Sequence, residues 1–186
     1  PHFFCDAIPE AGKNCDLSAE ESRHAVRVLR LQEQDNITLF DGQGCRAEAE
    51  VSQVSRRRRN ESVTCHITRR EFFHPPRTRI YLYIALPRSN KADHIFRQAT
   101  ELGVWQILPI QCDRSVAKPD SAHVKPRWQN ETMAASKQSG NVFVPLIHPP
   151  CTFEEALTHT QGKGFVGDAD AEHPPSDASC DLAGQI

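Results

Sequence analysis

The side chains able to do chemistry in this chain of 186 residues are mostly cations. Arg88 and Lys91 follow a run rich in Tyr and Ile at 78–86, and Arg114 follows a second apolar run that ends at Ile110. Open α/β sheets hold ligands outside the carboxyl ends of their strands, so these three side chains sit where a ligand would arrive. Drawn from separate loops, they can converge on a phosphate backbone, or they can be ordinary solvated charges after strands. A second set, Arg23, Arg27 and Arg30, recurs at i, i+4 and i+7 and lines one stripe of a predicted helix. That stripe is either a phosphate-gripping face or a solvated one in which Glu20 offsets Arg23. Four consecutive arginines at 56–59 form a third set at a loop tip, where they would contact RNA phosphate or keep the turn soluble and unpaired.

Other chemistries lack their residues. No GxGxxG follows a strand, and GxxxxGKS/T, GxSxG and HExxH are missing, which excludes the usual dinucleotide, NTPase, esterase and zinc-protease motifs. The nine His are scattered, and the seven Cys at 5, 15, 45, 65, 112, 151 and 180 include no CxxC and no zinc spacing. An odd number of separated thiols reads as reduced cysteine in a cytosol, so a cytoplasmic protein is expected. With a net charge of -2 and a pI of about 6.6, any basic surface must be local. The longest apolar run, 80–86, is far below the roughly 18 residues of a membrane span, and no basic-then-apolar leader opens the chain.

The elements that position the cations follow from periodicity. Ala92, Ile95, Phe96, Ala99 and Leu102 have the spacing of a helix over 91–102, with Asn90 as N-cap, Asp93 at the positive end of the dipole and Gly103 at the exit. Strands are predicted on either side at 78–86 and 105–110, which makes a right-handed βαβ unit with a parallel sheet. Asp93, Arg97 and Glu101 lie along one helical line as a ladder of ion pairs. A helix over 125–139 carrying Trp128, Thr132 and Ala135 ends at Gly140. A strand at 142–147 follows, then a short helix capped by Thr152 and Glu155, then a fourth strand beginning at 164–167. Upstream, Ser18 and Glu21 form a capping box for a helix over 19–31 on which Ser22 is tolerated at an apolar position. Alternation at 37–40, 47–54 and 63–70 then describes strands around a tight turn at 41–44, a small and mostly antiparallel barrel or meander. The stiff His74, Pro75, Pro76 and Arg77 mark the expected boundary between a domain at 1–73 and one at 74–186.

Five blocks in order, HAVRVLRL at 24–31, LFDGQG at 39–44, PRSNKADHIFRQATELGVWQILP at 87–109, DRSVAK at 113–118 and RWQNETMAASKQSGNVFVP at 127–145, resemble one family. It is the bacterial methyltransferase family of the SPOUT superfamily that methylates N3 of a uridine in small-subunit (16S) ribosomal RNA. The resemblance covers about residues 1–150. It implies an α+β N-terminal PUA-like β-barrel that grips RNA, followed by an α/β SPOUT domain that binds S-adenosylmethionine in a trefoil knot and works as a homodimer.

Position by position, Arg27 and Arg30 match the family's VLR segment, Arg88 and Lys91 its Arg-x-x-Lys-like segment, and Arg114 its arginine after the second sheet strand. These five are the RNA-binding residues that the resemblance implies. Glu101 to Val104 match ELGV, and Gln138 with Gly140 match Gln-x-Gly. Val166 and Gly167 are the only donor-binding positions it supplies. Gln98 stands where the family has Lys and Asn141 where it has Arg. Neither the GPEGG nor the LR-x-ET-A segment occurs, so the chain is expected to be truncated before the knot and inactive by itself, with the catalytic base outside it. The rival expectations are a non-catalytic RNA-binding protein that uses the barrel alone and an α/β protein that binds a small molecule.

Overall fold

A computed structural model describes residues 1–57, 60–87, 91–112, 124–158, 162, 164, 165 and 167. The first sheet comprises β1 (His2–Phe4), β2 (Asn14–Asp16), β3 (Asn36–Phe40), β4 (Cys45–Arg57) and β5 (Asn60–Phe72), ordered β1-β3-β4-β5-β2. In β4 the buried Cys45, Ala47, Ala49 and Val51 alternate with outward Arg46, Glu48 and Glu50, the period of a sheet with one wet face. Register shifts between Glu48 and Ala49 and between Val51 and Gln53 mark bulges that bend the long hairpin. Phe3, Leu39, Val51, Val63 and Ile67 fill the core, each such side chain contributing about 1.5–3 kcal/mol by leaving water.

The expected barrel takes the form of a curled sheet. Its edge strands approach until Cys5, just after β1, and Cys15 on β2 stand with their sulfurs 3.3 Å apart, but no strand pairing joins β1 to β2. β1 runs parallel to β3, a pairing that three residues are too few to announce. Arg56 and Arg57 belong to β4, opposite Glu61 and Asn60, so the strand runs through half of the arginine cluster; Arg58 and Arg59 lie outside the described residues.

Helix α1 (Ala19–Arg27) stops one turn earlier than its periodicity predicts. Leu29 N–H bonds back to the His24 carbonyl and Leu31 N–H to Ala25, and Arg30 takes φ +56°, so the chain leaves the helical path and buries Leu31. Ser22 is more than tolerated: its hydroxyl donates to the Leu17 carbonyl at 3.1 Å and accepts from Val63 N–H at 3.2 Å, which sews α1 to β5.

The second sheet comprises β6 (Tyr81–Ala85), β7 (Gln106–Gln111), β8 (Leu146–Ile147) and β9 (Cys151–Thr152), with helices α2 (Lys91–Glu101), α3 (Pro126–Ser139) and α4 (Phe153–Thr158). Central β7 pairs in parallel with β6, β8 and β9; Ile107, Leu108, Pro109 and Ile110 are all buried, as in a strand covered on both faces. Phe96 of α2 stacks on Trp128 of α3 at 4.9 Å. The predicted ladder along α2 is replaced by pairs between helices: Asp93 meets Arg127 at 2.6 Å and Arg97 meets Glu131 at 2.7 Å. Their order shows that α2 and α3 run parallel. Thr152 and Glu155 form the predicted reciprocal cap of α4. No strand is present at Gly164, Phe165 or Gly167. Among the described residues no helix is long and apolar enough to cross a membrane.

The two sheets meet at the DGQG turn. Asp41 Oδ1 accepts from Gln43 N–H at 2.7 Å and Cys45 N–H at 2.9 Å, which presents the backbone of residues 42–44 outward. Gly44 N–H donates to the Val142 carbonyl and Val144 N–H to the Gly42 carbonyl, with Gln43 bridged antiparallel to Phe143. A Cβ on Gly44 (φ +109°) would stand 2.6 Å from the Phe143 ring, so glycine is required there by backbone and space together. Residues 142–144 are thus spent on the first sheet, which is why β8 keeps only Leu146–Ile147 of the strand predicted at 142–147.

Candidate nucleic-acid interface

Where α1 ends and the β4–β5 hairpin reaches its far end, arginines gather around one acid. Arg27 donates from Nε at 2.8 Å and from Nη2 at 2.5 Å to Glu61 Oε1. This bond, with Arg23 nearby, holds the Glu61 carboxyl below its ordinary range. Arg56 Nη2 donates to the Leu31 carbonyl at 3.1 Å, clamping the helix exit to β4. Arg30 is exposed in the left-handed conformation, off the helical stripe on which the spacing puts it. The stripe is therefore a looser cluster: Arg27 binds Glu61, Arg23 stands near it, Arg56 lies opposite it in the β4–β5 ladder, and Arg30 follows at the helix exit. The surplus positive charge suits a phosphate backbone.

Lys91, the first residue of α2, is exposed at the carboxyl edge of the second sheet. Arg88, Arg114 and Val166 lie outside the described residues. Gly167 is exposed. Lys91 and the arginine cluster are not brought together. The Asp93–Arg127 pair marks the strand-tip end of α3, whereas Lys137, ten residues further on, pairs with Glu21 of α1. At 1.5 Å per residue that stretch is about 15 Å.

The link between the units differs from the predicted capping box. Ser18 Oγ accepts from Glu21 N–H at 3.2 Å, but the Glu21 carboxylate turns away to Lys137, and its Oε2 is buried without a hydrogen bond. His2 Nδ1 donates to the Lys137 carbonyl at 2.8 Å, covering the carboxyl end of α3. Asn141 donates to the Thr100 carbonyl at 2.6 Å, so at this position a carboxamide closes the end of α2 in place of a cation. Gln98 is exposed on α2.

A methyl-donor pocket does not follow from the described residues. At the carboxyl edge, Pro87, Lys91, Gln111, Cys112 and Thr152 supply one cation and no glycine-lined backbone to cradle a nucleoside. A shallow groove of about 530 Å³ lies instead in the first unit, beside Cys5, Asp6, Cys15 and Asp16. There a hydrogen bond from Cys15 lowers the Cys5 thiol to about 7, while the same contact raises Cys15.

A family model described as an RNA methyltransferase domain matches residues 74–183. The chain belongs to the RNA methyltransferase domain family. A second model, an RNA methyltransferase PUA domain, matches residues 17–58, which hold α1, β3 and β4. Ribosomal RNA small subunit methyltransferase E of Bacillus subtilis is 29% identical over 158 residues, covering 82% of this chain and 59% of its own. Its namesake in Mycobacterium bovis is 30% identical over 148 residues, covering 78% and 55%. The crystal structure of Ribosomal RNA small subunit methyltransferase E from Neisseria gonorrhoeae bound to S-adenosyl methionine superposes with a TM-score of 0.76 at 27% identity, covering 87% of this chain and 65% of that one. The chain therefore spans a little over half the length of these two curated relatives.

Sequence reasoning missed the Glu21–Lys137 contact and the seating of the 41–44 turn. The two closely spaced glycines after an Asx residue were the available sign of the second; long-range pairing of Glu21 left none.

Proposed function

We propose that this chain contributes the RNA-gripping unit and the first part of the catalytic sheet of an S-adenosylmethionine-dependent methyltransferase acting on N3 of a uridine in 16S ribosomal RNA. Residues 1–73 are the gripping unit and 74–186 the methyltransferase unit; the protein works in the cytoplasm on the small ribosomal subunit, as a homodimer. The observation that carries the reading is the turn at 41–44, which seats the PUA-like unit on residues 142–144 and so fixes an arginine cluster at a set distance from the carboxyl edge of a parallel sheet. Arg27 and Arg30 hold phosphates at one end, and Lys91, with Arg88 and Arg114, holds them at the other. Val166 and Gly167 belong to the donor side.

When bound, S-adenosylmethionine supplies a methyl group on a sulfonium sulfur. Uridine N3 carries a proton at neutral pH and must lose it, so the reaction needs a base, or a cation that stabilises the anion, beside the ring, a group supplied from outside the cations that hold the phosphates. Holding the base in line is the larger share of the task, because positioning alone can supply several kcal/mol of a barrier. The test is transfer of tritiated methyl from S-adenosylmethionine to small subunits by the natural gene product, followed by nucleoside chromatography. Label in 3-methyluridine is expected. Label in another nucleoside, or RNA binding with no donor binding in calorimetry, overturns the assignment.

A further inference from the structure

The end of β5 carries a second surface that the cations above do not include. Phe72 closes the strand with 68% of its surface exposed, and Phe73 follows at 38%. A large apolar side chain left in water forgoes the stabilisation it would gain by burial. Each ring is nevertheless placed: the Arg70 guanidinium lies 4.5 Å from the centroid of Phe72, and that of Arg46 lies 4.6 Å from Phe73. Arg70 is itself held, its Nε donating to Cys45 Sγ at 3.3 Å. Arg46 and Arg69 share the single carboxylate of Glu71 at 2.9 and 2.5 Å, so two guanidinium groups are set by one negative charge and positive charge remains. Phe73 N–H donates to the Gly44 carbonyl, which ties the strip to the turn where the two sheets meet. Between 69 and 79 the chain places four Arg against one Glu.

We infer that Phe72, backed by Arg70, is a stacking platform for an unpaired RNA base, with Arg46 and Arg69, on the other face of the same hairpin end, for the phosphates of the strand as it passes the end of β5. This inference rests on the RNA-binding reading above and adds to it a base-contacting residue. An aromatic ring with one face under a guanidinium and the rest open offers a π-surface to any base, and the neighbouring cations track the backbone. The ring is held before RNA arrives, so little side-chain freedom remains to be lost on binding. The ligand is a single-stranded segment, because a paired base keeps its faces within the helix stack.

The experiment is fluorescence anisotropy with an unstructured, uridine-rich RNA oligonucleotide at low and high salt, using the natural protein and three variants. Phe72→Ala is expected to lose about tenfold in affinity at both salt concentrations, the weight of one stacked base, whereas Phe72→Trp retains binding. Arg69→Ala instead lowers the salt slope by about 0.7, the effect of one single-strand phosphate contact. Because Phe72 is exposed, an unchanged melting temperature separates lost stacking from lost folding. Natural protein that binds the RNA with Phe72→Ala binding equally well overturns the platform and leaves the proposed function standing. The same holds if Phe72→Ala alters only the oligomeric state in light scattering. Natural protein that binds no RNA overturns both.

Discussion

The two halves of the molecule hold themselves together differently. The first sheet depends on one long antiparallel hairpin, β4 with β5, whose buried residues alternate from Cys45 to Val51 in one strand and from Val63 to Ile67 in the other. In the second, β7 alone pairs with three parallel strands, and α2 and α3 cover it through one stacked aromatic pair and two ion pairs. The first half can therefore lose a contact and keep its register. The second concentrates its stability in a few residues, and the joint between the halves is narrower than either.

Phe96→Ala should break this contrast most visibly. Removal of a fully buried ring that packs against Trp128 should cost about 3–5 kcal/mol. In calorimetry the second half should melt ahead of the first, and a single shared transition would show that the halves are one cooperative unit. Next in size is Gly44→Ala, which meets both the left-handed backbone and the Phe143 ring; an effect of about 1–3 kcal/mol is expected. Faster proteolysis in the exposed run 74–80, with each half keeping its circular dichroism, would locate that effect in the joint.

Lys137→Met leaves the Glu21 carboxylate buried without its partner. Breaking a buried pair costs about 3–5 kcal/mol, and because the Lys137 side chain is 28% exposed the expected loss is smaller, about 1–2 kcal/mol. Arg97→Gln, at an exposed pair, should leave the melting temperature almost unchanged. Cys5 requires no stability change. Its thiolate should react with iodoacetamide at a rate that rises with pH and is half-maximal near 7, while Cys65, pushed up to about 12 by burial, stays inert. Cys15→Ala removes the donated hydrogen bond and should return the Cys5 midpoint toward 9.0.

What the chain discloses about itself follows the range of the forces involved. The alternation of Cys45, Ala47, Ala49 and Val51 and the helical spacing of Ala92, Phe96 and Ala99 are local records of burial, and the elements appear where those records lie. Glycine at 103 and 140 ends its helix by backbone geometry that no neighbour has to supply. Contacts decided at long range leave no such record. Asp93 and Arg97 are spaced to pair along α2, yet both reach across to α3. Residues 142–144 have the composition of a sheet strand and are diverted to the turn at 41–44. Of the candidate site, Arg27 and Lys91 were legible as cations at the ends of elements. The exit of the chain at Arg30, the reach of Arg56 to the Leu31 carbonyl and the paired placement of Phe72 over Arg70 are set by the fold and leave no local pattern.

Helix α3 touches the strand-tip end of the molecule through Arg127 and the gripping unit through Lys137, so its length works as a ruler. Under the proposed function, adding one helical turn between those two residues would slide the gripped RNA by about 5.4 Å relative to the sheet, more than the roughly 3.4 Å between stacked neighbours along one strand. The choice of which base is presented would then be encoded in a count of residues, separate from any contact made to the base itself.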